Sequence, residues 1–215
     1  MNLQEIFSNI NLPIHQRYSM MVDHLSFVAP VMKTDLWNEL NTSYPISADI
    51  FVEIDPVMVQ KGKEKGLNAF AFSITDLPLE NESVSTVIDL STIDHIEDPF
   101  PALKEYRRVL KKEERSNCYI VCWMGNKASE KMTNWDGLQY YFHEIDFLKK
   151  IYQSGFYIEA HNNFAGLGDS QCYLEFFHLK LQPEKFSLWN LFITCMLKMN
   201  LLAVIPIARL SNPNK

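Results

Sequence analysis

Ala48-Asp49-Ile50-Phe51-Val52-Glu53-Ile54-Asp55-Pro56 is the stretch that decides the fold. A short apolar run ending in an acid suits a strand buried on both faces of a parallel sheet. Asp55-Pro56 then reads as a helix start, with proline at the first helical position. The helix is expected to run through Val57, Val59 and Lys61 toward Gly62 or Gly66, where glycine can end it. Downstream, Asn68 to Phe72 and the β-branched run Val84 to Leu90 read as further strands. Pro99 to Lys112 reads as an amphipathic helix with Leu103, Tyr106 and Leu110 on one face. Cys118 to Trp123 is another buried strand, and Glu144 to Ser154 a helix stopped by Gly155. Phe156 to His161 and Gln171 to Leu181 close the pattern as a pair of strands. Upstream, Leu25 to Ala29 is expected as the first strand and Asp35 to Ser43 as the first helix. Strands alternating with helices imply an α/β fold with a mostly parallel sheet and helices on both faces, and the final hairpin adds an antiparallel edge.

The 215 residues suit one compact domain at 25–182, with a helical cover at 1–24 and an apolar helix and tail at 183–215. Apolar content of 47% is ample for a core. A formal charge of -6 argues against a nucleic-acid surface, which needs a basic patch. The cysteines Cys118, Cys122, Cys172 and Cys195 have no zinc-like spacing, so no metal is expected and the thiols read as reduced. The N-terminus has no basic region followed by an apolar run, and a cytoplasmic location is expected. Phe186 to Leu210 is unusually apolar but is interrupted by Asn190, Lys198 and Asn200. Three placements stand open for it: against the domain or a partner subunit, at a membrane surface, or across a membrane.

Three ordered stretches carry a family resemblance. They are Glu53-Ile54-Asp55-Pro56-Val57-Met58 with Lys61 to Gly66, then Thr75-Asp76-Leu77-Pro78-Leu79, then Asp94-His95-Ile96-Glu97-Asp98-Pro99 running into Glu105 to Lys111. Together they resemble the middle of a class I S-adenosylmethionine-dependent methyltransferase of the type 11 kind. The resemblance implies a Rossmann-like, seven-stranded sheet and S-adenosylmethionine as cofactor. It puts Glu53 on the ribose hydroxyls with Ile54 beside it, Ser73 at the adenine amine, and Ile74 on the adenine face. Asp89 falls at the end of the fourth strand, either facing the cofactor's amino group or solvated at the sheet's rim. His95 falls near the acceptor pocket, as a general base or as a structural residue. Trp123, Trp135, Tyr140, Tyr141 and His143 either line that pocket or form an apolar lid. Gly166-Leu167-Gly168 reads as a hairpin turn, since no helix start follows it.

One departure is large. The family has a glycine-rich turn after its first strand, preceded by an acid, and this chain has no glycine before Gly62. Counting back without gaps from Glu53 puts Pro30 to Thr34 in the turn and Val28 in the acidic slot. Glycines serve such a turn by adopting positive φ and letting backbone approach the ligand. Two readings follow. One is a methyltransferase-like protein with a degenerate cofactor site, weak or no cofactor binding and a partner-binding role. The other is an active enzyme methylating an oxygen or nitrogen of a small molecule or glycan precursor.

Overall fold

The computed structural model describes residues 25–36, 39–40, 46–125, 130–134, 137–164 and 172–183. For 130–134, 137–139, 162–164 and 172–173 it describes the backbone alone. The expected N-terminal cover, the Gly166-Leu167-Gly168 turn, Trp135 and the apolar stretch from Phe186 lie outside the described residues.

Strand β2 (Ile50–Glu53) sits where the apolar run puts it, between β1 (Val31–Thr34) and β3 (Ala69–Ala71), parallel to both. Strand β4 (Thr86–Leu90) pairs parallel with the other side of β1, and β5 (Asn117–Gly125) pairs parallel with β4. A closing hairpin, β8 (Phe156–Phe164) and β9 (Cys172–Leu181), adds the antiparallel edge through β9 against β5. A further hairpin, β6 (Glu130–Asn134) and β7 (Gly137–His143), joins the sheet only where β7 meets Met124 and Gly125 of β5. The order β3-β2-β1-β4-β5 reverses direction of winding between β1 and β4, which makes that gap the topological switch point. In open α/β sheets, ligands bind outside the carboxyl ends of the strands at such a point.

The helices follow from local chemistry. Helix α1 (Pro56–Glu64) starts at Asp55, whose carboxylate accepts the Val57 amide at 2.8 Å. It runs through Gly62, which is buried, and ends before Gly66 at φ 82°. A side chain at 62 would meet Leu36 Cδ1 at 3.2 Å, so close approach to the β1 exit explains that glycine. Helix α2 (Phe100–Val109) buries Leu103 and Tyr106 in the main core, where the neighbouring Leu110 is also buried. Helix α3 (Glu144–Gln153) buries Phe147, Leu148 and Ile151 in the same core.

The first strand departs from expectation. Leu25 to Ala29 is not a strand. Val31 to Thr34, placed by gapless counting in the cofactor turn, is the central strand of the sheet and fully buried. The physical reason is that Val31-Met32-Lys33-Thr34 is the segment that registers with both neighbours, Met32 against Ile50 and Val87. The connection from β1 to β2 is correspondingly shorter than the family spacing. The turn after β1 therefore begins at Asp35, and the slot two residues before it is Lys33 rather than Val28.

Candidate functional site

Both strands flanking the switch point leave the sheet through a non-glycine residue in the left-handed region. Asp35 after β1 has φ 74° and Ser91 after β4 has φ 65°. Such conformations are uncommon outside glycine, with aspartate among the residues that tolerate them best. The geometry of a tight exit is thus kept while the Cβ atoms stay.

Backbone amides at this rim are engaged within the chain. The Asp35 amide donates to Val52 O at 3.0 Å and the Leu36 amide to Glu53 Oε2 at 3.2 Å. The Ser91 amide donates to Val121 O at 2.9 Å, and the Thr92 and Ile93 amides to Asp89 Oδ1 at 2.8 and 3.2 Å. Between the two exits, the Thr34 and Thr92 hydroxyls hydrogen-bond at 2.9 Å. Leu36 is fully buried beside Phe51, Val59 and Ala69, so the chain turns into the core as it leaves Asp35. An anion or ligand polar group at a switch point is normally met by outward-facing amides. Those of Asp35, Leu36, Ser91, Thr92 and Ile93 face inward.

Lys33 is buried and pairs with Glu39 at 2.6 Å, the two side chains being 0% and 3% exposed. Glu39 Oε1 also accepts the Ile46 amide at 2.9 Å. A buried charge survives only when paired and hydrogen-bonded. A cation and its partner therefore occupy the slot in which the resembled family carries an acid.

Glu53 stands at the end of β2, half-buried, with Oε2 on the Leu36 amide and Oε1 on the Asp55 amide at 3.0 Å. Beside it lies an apolar ledge. Ile54 is 72% exposed, Val57 59% and Phe72 42%, three of the four large apolar side chains that the described fold exposes. Glu53 registers with Ala71, so Ile54 and Phe72 leave adjacent parallel strands together. The Phe72 amide donates to Glu53 O at 3.0 Å. Ser73 makes a local turn, its hydroxyl sharing a hydrogen bond with Thr75 Oγ1 at 2.8 Å and accepting the Thr75 amide. Ile74 is buried in the main core rather than lining an open face. Beyond it the loop is held by Arg108, whose five N–H groups reach Leu77 O, Leu79 O, Asn81 Oδ1 and both oxygens of Glu105.

Asp89 is neither at the rim nor turned to open space: it is fully buried beneath the switch point. Its second oxygen accepts the Tyr106 hydroxyl at 2.5 Å. Burial pushes its carboxyl up to about 6, against the opposing pull of Tyr106 and the two amides. Asp94, in the short 3-10 turn Ile93–His95, is also fully buried. Its Oδ1 accepts the Trp123 amide at 3.0 Å, and Oδ2 has no hydrogen-bond partner. Burial, then the neighbouring Asp89, drive its carboxyl well above the usual carboxylate range. Sequence reading passed over Asp94 because an acid in a turn looks solvated. Lys33, Thr34 and Thr92 were missed because only the corrected β1 register brings them together at the switch point, and Phe72 because it read as the last residue of a strand.

His95 is exposed on that same 3-10 turn. Tyr140 and Tyr141 are buried, Tyr141 meeting the Trp123 ring edge-on at 6.0 Å. His143 precedes α3, with Nδ1 buried and unpartnered. A cavity of about 650 Å³ opens elsewhere, at the amino end of β5 between Tyr119, Asn117, His178 and Arg115, and touches none of Glu53, Asp89 or His95. Among the described residues no group of three or more side chains is arranged to hold a metal. Nor is any described helix long and apolar enough to cross a membrane.

Comparison with known proteins agrees with this geometry. Residues 39–115 match the family model for a methyltransferase domain. No curated protein matches the chain. Among solved structures, a 1,6-didemethyltoxoflavin-N1-methyltransferase from Burkholderia thailandensis, with bound S-adenosylhomocysteine, superposes with a TM-score of 0.60 at 12% identity, covering 79% of this chain and 78% of that one. A methyltransferase from Thermotoga maritima gives 0.55 at 17% identity, with 83% and 92% covered. The 4+2-cyclase SpnF gives 0.59 at 12% identity, with 77% and 81% covered. The chain has the fold of class I S-adenosylmethionine-dependent methyltransferases, and its residues 39–115 resemble the methyltransferase domain of that family.

Proposed function

We propose that this is a methyltransferase-like protein whose crevice no longer takes S-adenosylmethionine productively, and whose role is binding rather than methyl transfer. The observation that carries this reading is the inward engagement of the amides of Asp35, Leu36, Ser91, Thr92 and Ile93 around the switch point. The cofactor's amino-acid end carries a carboxylate and an ammonium. None of those five amides is left for the carboxylate, and the Thr34–Thr92 hydrogen bond crosses the space between β1 and β4. The Lys33–Glu39 pair adds to this, since it replaces a lone acid with a neutral pair.

Methyl transfer depends mostly on aligning nucleophile, methyl carbon and sulfur. A cofactor held only at its nucleoside end cannot fix that line. Similarity to SpnF, named as a cyclase, agrees with the rule that this fold does not by itself fix the reaction.

Calorimetric titration of the full chain with S-adenosylmethionine and S-adenosylhomocysteine tests the reading. No heat and an unchanged melting temperature are expected with both. Micromolar binding of either would overturn it and restore the alternative of an active methyltransferase on a small-molecule or glycan-precursor acceptor, with His95 as its base.

A further inference from the structure

We propose that the cavity at the amino end of β5 is a binding site for a small, neutral, flat aromatic compound that carries an N–H or O–H donor. It lies at the opposite end of the parallel strands from the switch point, and it stands whether or not the crevice takes S-adenosylmethionine. Its volume of about 650 Å³ is in the range of small-molecule sites.

The first ground is one nitrogen atom. Asn117 is oriented by two carbonyls, its Nδ2 donating to Arg115 O at 2.8 Å and to Ser26 O at 3.2 Å. Its Oδ1 is therefore the atom that meets His178 Nε2 at 2.9 Å, and an acceptor there requires Nε2 to carry a proton. Burial, then the Lys180 charge, push His178 down to about 4, so the ring is neutral near pH 7 and holds that proton alone. Nδ1 is left as a bare acceptor. It takes no hydrogen bond from the described residues and is not one of their sealed, unpartnered atoms, which leaves it open to the cavity that His178 lines. A ligand seated there needs a donor.

The second ground is the shape and charge of the wall. Tyr119 stacks on Phe176 with ring centroids 6.2 Å apart and lies 4.7 Å from the His178 ring. Tyr119 and Phe176 are buried while His178 is half-buried, so His178 is the open end of an aromatic row that a further flat ring would extend. A bulge in β8 between Ile158 and Ala160 lets both Glu159 and Ala160 line the cavity, where a regular strand would turn only one of them inward. Other polar groups are engaged: the Tyr119 hydroxyl donates to Ser26 O at 3.1 Å, Lys180 Nζ to Glu114 O at 2.9 Å, and the Tyr157 hydroxyl to Glu159. Arg115 and Lys180 are balanced by Glu114 and Glu159, so the local field favours neither an anion nor a cation.

Titration calorimetry of the full chain with indole, benzofuran, indole-3-acetate and tryptamine tests the site. Indole should give saturable heat. Benzofuran has the same shape with an oxygen in place of the N–H, and should bind about tenfold more weakly because it covers Nδ1 without a donor. The anion and the cation should bind no more tightly than indole. Ala160 registers with His178 and is half-exposed, so Ala160→Phe should fill the cavity, keep the wild-type melting temperature and weaken indole by at least about tenfold. The benzofuran comparison needs no variant, so it decides the matter even if Ala160→Phe folds poorly. No saturable heat with indole refutes the site, and equal affinity for indole and benzofuran refutes the role of His178. Much tighter binding of either charged compound would overturn the neutral ligand class.

Discussion

Replacing Asp89 with asparagine should make the protein progressively more stable than wild type as pH rises. Asp89 is fully buried, and its carboxyl stands at about 6 in the fold against 3.8 in an unfolded chain. A raised folded value means that the contribution to stability is fully present below the unfolded value and is lost as pH climbs through the folded one. The window is therefore from about 4 to about 6. A difference of roughly two units at about 1.4 kcal/mol each gives a loss of about 3 kcal/mol across it. Asparagine keeps an acceptor for the Thr92 and Ile93 amides and can donate to the Tyr106 oxygen, so the hydrogen bonds survive while the titration vanishes. Urea unfolding of both proteins at several pH values between 4 and 7.5 reads the effect. The stability of the variant relative to wild type should grow by about 3 kcal/mol over that range, a shift of roughly 6–12 °C in Tm for a chain of this size. Any constant cost of the substitution cancels in this comparison, and so do uncoupled groups. A relative stability that stays constant with pH to within about 0.5 kcal/mol would refute the placement of an ionisable, desolvated Asp89 beneath the switch point.

Other outcomes follow from the same geometry. Asp94→Asn should gain stability relative to wild type as pH rises, because burial favours the protonated carboxyl and ionising it costs the fold; a relative stability that falls with pH would mean a charged, paired Asp94. Lys33→Met should cost about 3–5 kcal/mol in urea unfolding by stranding Glu39. Adding Glu39→Gln, which keeps an acceptor for the Ile46 amide, should recover most of that loss. His178 is pushed down to about 4, mainly by burial, so its neutral form favours the fold. Stability from this group is lost as pH falls from about 6.5 toward 4, the opposite sense to Asp89. His178→Gln should remove that acid sensitivity in the same unfolding series.

The parallel order was legible because each central strand is a short apolar or β-branched run bounded by a helix signal. Glu53, with Asp55 as its helix cap, sits where the sequence puts it for the same reason. The β1 register was not legible. Gapless counting assumes a connection of fixed length, and the connection is where this chain differs, so Val31 to Thr34 was read as loop although its pattern suits a strand. Correcting the register moves the turn from Pro30 to Asp35 and puts a buried Lys33 in the acidic slot. The burial of Asp89 and of Asp94 was hidden for another reason. Whether an acid at a strand end is solvated or covered depends on what packs over it, here Tyr106 from α2 and Trp123 from β5. Neither partner is adjacent in sequence.

Arg108 has a consequence for anything that lands on the ledge. Its guanidinium has five N–H groups, and all of them are engaged by acceptors on the loop at 77–81 and on Glu105. One side chain on α2 thus stitches down residues 77–81 of the segment that follows Phe72. A wall fixed in this way pays no ordering cost when a partner arrives, so weak contacts at Ile54 and Phe72 count in full toward affinity. The same stitching makes the wall selective by shape, since it cannot move to admit a poorer fit.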